Sequence, residues 1–140
     1  MINVALFGFG RIGQMHAKNL TKNKEIKLLY VHEKINQLSN KAKKLYGCKI
    51  EKNYYKIFDD KKIDIVFISS PTNTHIKFIE EGMKRKKTIF CEKPLDLNIN
   101  KIIKTLSKVK KIKPKIQLGF NRRYDPGHFS LKKDLDKNKI

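Results

Sequence analysis

A glycine-rich turn near the amino terminus constrains this chain more than any other feature. The segment Val4–Gly13 reads VALFGFGRIG, an apolar run followed by glycines in the spacing G-x-G-x-x-G. In a strand–turn–helix unit, Gly8 permits the tight turn, Gly10 lets a pyrophosphate approach the backbone, and Gly13 lets the helix pack closely on the strand. The start of the helix then offers unpaired N–H groups to the phosphates. The pattern therefore predicts a dinucleotide site at the first turn.

An acidic residue stands at the distance that this interpretation requires. Glu33 lies twenty positions after Gly13 and follows the second apolar run, Ile26–Val31. A carboxylate there accepts hydrogen bonds from the ribose hydroxyls of the adenosine and repels a 2′-phosphate. We therefore expect NAD as the cofactor rather than NADP, with Lys34 softening that repulsion. The alternative is a loop glutamate without a role, which the strand and glycine context disfavours.

Length, cysteine content and hydropathy narrow the class of protein. A chain of 140 residues fits one domain with a buried core. No apolar run has the length of a membrane span, and the amino terminus does not resemble a signal peptide. Cys48 and Cys91 are far apart and in no metal-binding spacing, which predicts neither a disulfide framework nor a metal site. We expect a cytoplasmic protein.

The positive charge of the chain is interpreted as solvated surface. The formal net charge is +20, but only four of the 33 basic residues are arginine. The lysines are spread along the whole chain and accompany abundant isoleucine and asparagine, as codon bias in an AT-rich genome would produce. A nonspecific affinity for polyanions would follow as a side effect. We expect neither a specific nucleic-acid partner nor a membrane partner.

Strand and helix patterns alternate along the chain. The predicted strands are Ile2–Phe7, Ile26–Val31, Lys49–Glu51, Ile63–Ile68, Thr88–Cys91 and Ile116–Phe120. The predicted helices are Ile12–Lys22, Ile35–Tyr46, Tyr54–Asp59, His75–Arg85, Ile99–Val109 and a last one after Asp125-Pro126. This alternation predicts an α/β fold, a doubly wound parallel sheet with helices on both faces. Ligands bind such sheets beyond the carboxyl ends of the strands.

Apolar periodicity and helix-ending residues give further expectations. Apolar stripes are predicted on two helices, one formed by Leu38, Ala42 and Leu45 and the other by Ile99, Ile102, Ile103, Leu106 and Val109. Gly47 is expected to end the second helix. Asp125 and Pro126 form a cap and a first-turn proline for the last helix, which would carry Phe129, Leu131 and Leu135.

Lys93 is the strongest candidate for chemistry. It follows the strand Thr88–Cys91 and precedes Pro94, which fixes the local backbone. A partly buried lysine near a nicotinamide can hydrogen-bond a substrate hydroxyl and take part in proton transfer, and the alternative is one more surface lysine. His75 either meets the cofactor or only caps its helix. Arg122 either holds substrate oxygens or lies on the surface.

Two other side chains with reactive groups are expected to be structural. His16 lies just inside the first predicted helix, and Cys91 ends a buried strand as a small apolar residue.

Four segments of the chain resemble the amino-terminal domain of the Gfo/Idh/MocA oxidoreductases. They are GFGRIGQMHA, SSPTNTH, FCEKPL and GFNRRYDPGH, and together they extend to about His128. The E-K-P element is the most specific, and F-N-R-R-Y-D-P makes the chain most similar to the inositol 2-dehydrogenases of that family. One departure is Lys86, where the family often has a helix-ending glycine. A lysine held there at positive φ costs about 1 kcal/mol.

The resemblance implies a role for each matched residue. The cofactor-binding residues that it implies are Gly8, Phe9, Gly10, Arg11, Ile12 and Gly13 at the pyrophosphate turn, Glu33 at the ribose, Ser70, Pro71, Asn73 and His75 along the nicotinamide half, and Glu92 and Lys93 beside the nicotinamide and its ribose. Lys93 is also the implied catalytic residue, facing the reacting carbinol. Arg122 would lie toward the substrate, and no metal is implied.

The resemblance also implies a chain that is incomplete for catalysis. Residues 1–120 would form the NAD(P)-binding domain, and residues 121–140 would begin the linker toward the family's second, catalytic domain, which is absent and needs roughly 150–200 further residues. Three hypotheses follow: the first part of an NAD-dependent dehydrogenase of polyols, a free-standing dinucleotide-binding module, or a truncated product without turnover. Apolar surface left without its cover predicts self-association.

Overall fold

The computed structural model describes residues 1–137, which fold around a six-stranded sheet. The strands are β1 (Ile2–Phe7), β2 (Ile26–His32), β3 (Lys49–Ile50), β4 (Ile65–Ile68), β5 (Thr88–Cys91) and β6 (Ile116–Leu118). Their order in space is β3-β2-β1-β4-β5-β6, and every neighbouring pair is parallel. The order reverses between β1 and β4, where parallel sheets of this type open a ligand crevice.

Six α-helices connect the strands within residues 1–137. They are α1 (Arg11–Lys22), α2 (Asn36–Tyr46), α3 (Tyr54–Asp59), α4 (His75–Lys84), α5 (Ile99–Ile112) and α6 (Pro126–Asp136). Short 3₁₀ turns lie at Thr72–Thr74 and Asn121–Tyr124. The predicted doubly wound α/β fold is confirmed. The largest difference in an element's bounds is at α5, which continues to Ile112 instead of ending at Val109.

The sheet carries an apolar layer on each face, and β1 contributes to both. Ala5 and Phe7 pack with residues of α3 and α4, whereas Leu6 packs with residues of α1 and α2. The ring of Phe7 lies between those of Phe58 and Phe78, at centroid distances of 5.1 and 4.8 Å. Burial on both faces explains why β1 has a nearly continuous apolar sequence.

Several predicted apolar faces are only partly covered. On α2, Ala42 is fully buried but Leu45 is 57% exposed, so Leu45 was wrongly assigned to the packed face. On α5, the residues of the stripe that remain exposed are Ile99, Ile103 and Leu106. On α6, about half of each apolar side chain is exposed at Phe129, Leu131 and Leu135. Periodicity identified the apolar side of α5 and α6, but the described residues do not fully cover it.

A shallow apolar groove remains between α1 and the β4–β5 part of the sheet. Phe67 and Phe90 stack across it with ring centroids 4.0 Å apart, and Leu20 of α1 forms one of its walls. Both rings are half-buried. This face of the sheet thus has less cover than the face packed on α3 and α4.

The chain after β6 leaves the sheet. A 3₁₀ turn leads to α6, whose predicted cap is confirmed because the Asp125 carboxylate accepts a hydrogen bond from the backbone N–H of His128 at 3.0 Å. Hydrogen bonds from the side chain and backbone of His128 lower the pKa of Asp125 to about 2. The predicted linker begins in this region, and its last residues, 138–140, lie outside the described residues.

Within residues 1–137, three helix ends adopt the left-handed conformation, one with glycine and two with lysine. Gly47 ends α2 with φ of 62°, as predicted. After α4, Lys86 has φ of 54°. The N–H of Lys86 donates to the carbonyl of Met83 and the N–H of Lys87 donates to the carbonyl of Gly82, which completes the usual pair of bonds at a helix end. Lys86 therefore holds a backbone position that favours glycine.

Replacement of Lys86 by glycine should stabilise the protein. K86G removes a Cβ from a positive-φ position, so we expect the free energy of unfolding to rise by about 1 kcal/mol and the thermal midpoint by roughly 4 °C. K86A is the matched control, because it removes the charge and the long side chain but keeps the Cβ. Calorimetric or circular-dichroism melts measure both. Equal stabilisation by K86A would contradict the explanation.

Candidate functional site

The glycine turn after β1 is closed by backbone contacts that leave no room for side chains. Gly8 has φ of 88°, and a Cβ added there would lie 2.6 Å from the Cα of Ser70. A Cβ on Gly13 would collide with the carbonyl oxygen of Gly8. Around Gly10, by contrast, a Cβ would meet nothing within 4 Å. Two of the glycines are thus required by the fold, and Gly10 faces the open side where a ligand would approach.

The amino terminus of α1 is available to an anion. Gly10 is its N-cap residue, no side chain caps it, and the first turn contains no acidic residue. Within residues 1–137, the backbone N–H groups of Arg11, Ile12 and Gly13 have no hydrogen-bond acceptor. Arg11 and Ile12 are exposed. Free N–H groups, an unneutralised dipole end and an open Gly10 fit a pyrophosphate.

Glu33 is fixed beside this turn by its own hydrogen bonds. One carboxylate oxygen accepts from the backbone N–H of Phe9 at 2.8 Å, and the other accepts from the N–H of Ile35 at 2.9 Å. Glu33 is half-buried, so its remaining lone pairs stay accessible. The position fits a ribose diol. Phe9 has a wholly buried side chain and an N–H that is already bonded, so it contributes by anchoring Glu33.

A cavity of about 390 Å³ opens beside β5 and β6 at the carboxyl end of the sheet. Its lining includes these predicted site residues: Ile12, Ser70, His75, Glu92 and Lys93. Pro71 and Asn73 are exposed near the rim and are not among the lining residues. The structure therefore brings the turn after β1, the loop after β4 and the loop after β5 to one edge.

His75 bridges two of these loops. Its ring is 2% exposed, its Nδ1 lies 2.8 Å from the carbonyl oxygen of Pro94, and its Nε2 lies 2.8 Å from the carbonyl oxygen of Ser70. The side chain does not cap α4, whose N-cap residue is Thr74. Both ring nitrogens are occupied by backbone, so His75 supports the cavity by holding the loops together.

Lys93 and Arg122 lie at the outer edge of the site. Lys93 is exposed and precedes a cis peptide bond to Pro94. The partial burial that would tune a lysine for proton transfer is not provided by residues 1–137. Arg122 is also exposed and pairs with Asp125 at 3.4 Å. A second, open cleft connects the two, since both line it together with Phe120 and Asn121.

Sequence reasoning did not assign His16 to the site. His16 of α1 lines the cavity, and its Nε2 lies 2.7 Å from Oε1 of Glu92, although it was expected to be structural only. The signal that could have found it is helical spacing, because position 16 follows Ile12 by four and Gly13 by three and so shares their face of the helix.

Within residues 1–137, both cysteines are buried free thiols. Burial raises the pKa of both cysteine thiols, that of Cys91 to about 12 with a further contribution from Glu92. Within residues 1–137, no group of three or more His, Cys, Asp or Glu side chains is placed to hold a metal ion. No helix of the described part is long and apolar enough to cross a membrane.

Comparison with known proteins places this arrangement in a family. The Gfo/Idh/MocA family, described as "Oxidoreductase family, NAD-binding Rossmann fold", matches residues 2–120. The chain belongs to this family. It is therefore a member of an NAD-binding family. A dinucleotide fits the glycine turn, Glu33 and the free N–H groups of α1. The identification rests on most of the described chain and agrees with the strand order.

Inositol dehydrogenases are among the similar proteins. The chain is 35% identical over 139 residues to the inositol 2-dehydrogenase of Rhizobium meliloti and 33% identical over 141 residues to the myo-inositol 2-dehydrogenase of Thermotoga maritima, covering 99% of this chain and 42% of each relative. The crystal structure of scyllo-inositol dehydrogenase from Lactobacillus casei with bound NAD(H) and scyllo-inositol superposes with a TM-score of 0.91 at 33% identity. The superposition covers 100% of this chain and 42% of the Lactobacillus casei chain. The chain spans less than half the length of these relatives.

Alanine substitutions at Gly10 and Gly13 should separate binding from folding. Gly10 has φ of −67°, which alanine adopts, and its Cβ would point into open space. We expect G10A to keep the thermal midpoint but to weaken NADH binding by at least about tenfold, since the methyl group occupies the path of the pyrophosphate. Thermal melts and fluorescence titration with NADH measure the two effects.

The Gly13 variant is the matched control. A Cβ on Gly13 collides with the backbone of Gly8, so G13A should lower the free energy of unfolding by about 2 kcal/mol or more. A G10A protein that binds NADH like the wild type would contradict the placement of the pyrophosphate. A G13A protein with unchanged stability would contradict the described close approach.

Proposed function

We propose that the whole protein transfers hydride from a polyol of the inositol type to NAD, and that this chain supplies its cofactor side. The observation that carries the proposal is Glu33 held at the glycine turn next to an open Gly10 and an uncapped helix. The inositol dehydrogenases among the relatives support the substrate class. The chain spans 42% of their length, so it is proposed to be incomplete for turnover alone.

Each part of the site has a proposed role. The residues assigned to the pyrophosphate are Gly8, Phe9, Gly10, Arg11, Ile12 and Gly13, with Phe9 acting through Glu33. Glu33 accepts hydrogen bonds from the adenosine ribose. Ser70, Pro71, Asn73 and His75 form or support the wall of the nicotinamide half, and Glu92 lies beside the nicotinamide ribose. When bound, the NAD nicotinamide supplies the hydride acceptor.

Lys93 is the proposed catalytic residue, and Arg122 is proposed to bind substrate oxygens. Both side chains are exposed, and an open cleft runs between them. An ammonium group here would donate a hydrogen bond to the reacting hydroxyl and hold it against the nicotinamide. Its use in proton transfer requires further cover from outside the described residues. We propose residues 1–120 as the NAD-binding domain and 121–140 as the start of a linker.

Calorimetric titration with NAD, NADP and their reduced forms tests the proposal. The expected result is binding of NAD and NADH with weaker binding of the 2′-phosphorylated forms. Reduction of NAD in the presence of myo-inositol by the purified chain would contradict the proposal that the chain is incomplete for turnover alone. Measurable NADH binding without turnover fits either the proposed domain or a free-standing binding module. Absence of any dinucleotide binding would overturn both.

Neutralising Glu33 should reduce the discrimination between the two cofactors. E33Q removes the negative charge that repels a 2′-phosphate and one acceptor for the ribose. We expect NADH to bind about tenfold more weakly, and the ratio of NADH to NADPH affinity to fall by a similar factor. Competition titrations on the same protein measure that ratio.

Glu25 provides the charge-matched control for this experiment. It is an exposed glutamate before β2, so E25Q changes the net charge equally without touching the turn. The affinity ratio of E25Q should equal that of the wild type. An unchanged ratio in E33Q would contradict the assignment of Glu33 to the ribose.

We also propose that the isolated chain associates with itself. The exposed apolar side chains of α5 and α6 and the half-buried rings of Phe67 and Phe90 leave apolar surface in contact with water. High salt screens the net charge of +20, so association should increase with salt. Light scattering at low and high salt measures this, and a monodisperse monomer at high salt would contradict it.

A further inference from the structure

His16 and Glu92 join two elements that are far apart in the chain. His16 lies in α1, directly after the glycine turn, and Glu92 follows β5, 76 positions later. The Nε2 of His16 donates to Oε1 of Glu92 at 2.7 Å, and the two side chains are only 15% and 17% exposed. A partly buried bond to a carboxylate is stronger than a surface ion pair, because less water competes for it.

Two aromatic side chains pack against the ring of His16. Its centroid lies 4.6 Å from that of Phe67 and 5.6 Å from that of Phe90, and these two phenylalanines stack on each other. The imidazole therefore has an apolar platform on one side and a single carboxylate partner at Nε2. Its orientation is set by packing as well as by the hydrogen bond.

Gly119 makes space for the Glu92 carboxylate. A Cβ at position 119 would lie 3.2 Å from both Cδ and Oε1 of Glu92, and 3.1 Å from Cζ of Phe90. The N–H of Gly119 donates to the carbonyl of Cys91 at 2.8 Å, which keeps this backbone close to the end of β5. The carboxylate thus lies between α1 and the chain after β6 with little room to move.

The second oxygen of Glu92 reaches the backbone of the proposed catalytic residue. Oε2 accepts a hydrogen bond from the N–H of Lys93 at 3.2 Å. His16 acts on one oxygen of the carboxylate and Lys93 is bound to the other. The start of the Lys93-Pro94 loop is therefore tied, through Glu92, to the helix that begins at the dinucleotide turn.

We propose that His16 is a positioning residue for the nicotinamide end of the site: by holding Glu92 it fixes the start of the Lys93 loop relative to α1. This inference rests on the proposed function, because it assigns the cavity beside Glu92 and Lys93 to the nicotinamide. His16 does not itself contact the reacting atoms. It couples the adenosine side of the crevice, through α1, to the side where hydride transfer is proposed.

The test compares two ligands that differ only at the nicotinamide. NADH fills the whole site, whereas ADP-ribose carries the adenosine, pyrophosphate and ribose without the nicotinamide. In the purified chain, H16L should weaken NADH binding about tenfold and reduce the change in nicotinamide fluorescence on binding, while leaving ADP-ribose affinity unchanged. A general loss of structure would lower the affinity for both ligands equally.

Two further variants keep the test decisive. In H16Q the amide N–H replaces the Nε2–H donor, so NADH binding should return most of the way to the wild-type value. G119A introduces the tight contact with Glu92 and should weaken the binding of NADH but not that of ADP-ribose. This variant keeps the test decisive if H16L fails to fold. K18Q, an exposed substitution on the same helix, is the control and should change neither affinity.

Each outcome decides between the inference and the proposed function. If the wild type binds neither ligand, the proposed function fails and the inference fails with it. If the wild type binds NADH and ADP-ribose, and H16L and G119A bind each ligand with wild-type affinity, only the inference is overturned. Equal losses for NADH and ADP-ribose would show that His16 serves the fold alone, which also overturns the inference. Selective loss of NADH, restored in H16Q, supports it.

Discussion

The site depends on the close approach of three backbone segments at the end of β1. Gly8 touches the loop that follows β4, and Gly13 touches Gly8, at separations that exclude any side chain. This contact directs α1 away from the strand with its amino terminus over the carboxyl edge of the sheet. The free N–H groups, the placement of Glu33 and the position of His16 all follow from that direction. A larger residue at either glycine would move all of them together.

Two glutamates have matching functions at opposite ends of the crevice. Glu33 accepts the N–H of Phe9, and Glu92 accepts the N–H of Lys93, so each carboxylate organises the backbone of the loop beside it. The chain has 33 basic and 13 acidic residues, and most of its lysines lie on the surface. Acidic side chains are thus few, and these two order the loops that form the crevice. The contacts are local, whereas the large positive charge is distributed over the exterior.

The sequence predicted the architecture well because the decisive signals are local. Strands such as β1 and β5 were predicted with their observed bounds, since a short apolar run bounded by turn residues is distinctive. The family resemblance identified Lys86 as a position where a helix-ending glycine is common, and the structure shows positive φ there. Exposure was less predictable. Leu45 has the right spacing for the packed face of α2, but which part of that face meets the sheet depends on how the helix lies across it.

The candidate site was predicted in its parts but not in its connections. The residues brought to one edge, including Ser70, Glu92 and Lys93, follow from the rule that parallel strands end together. The bonds of Glu33 to Phe9, of His75 to Ser70 and Pro94, and of His16 to Glu92 join segments or atoms whose relative orientation no motif specifies. These contacts depend on how the helices lie on the sheet, which no sequence motif specifies.

The position of each strand in the sheet gives the two halves of the crevice unequal rigidity. The proposed adenosine side is built on β1, which is hydrogen-bonded to a strand on each side and whose residues Val4–Phe7 are completely buried. The proposed nicotinamide side borders β6, a three-residue edge strand with a single neighbour. Edge segments with few buried contacts open more often than central ones. A dinucleotide would therefore enter by docking its adenosine half on a preformed surface, and the ordering that accompanies binding would be concentrated at the end where chemistry is proposed.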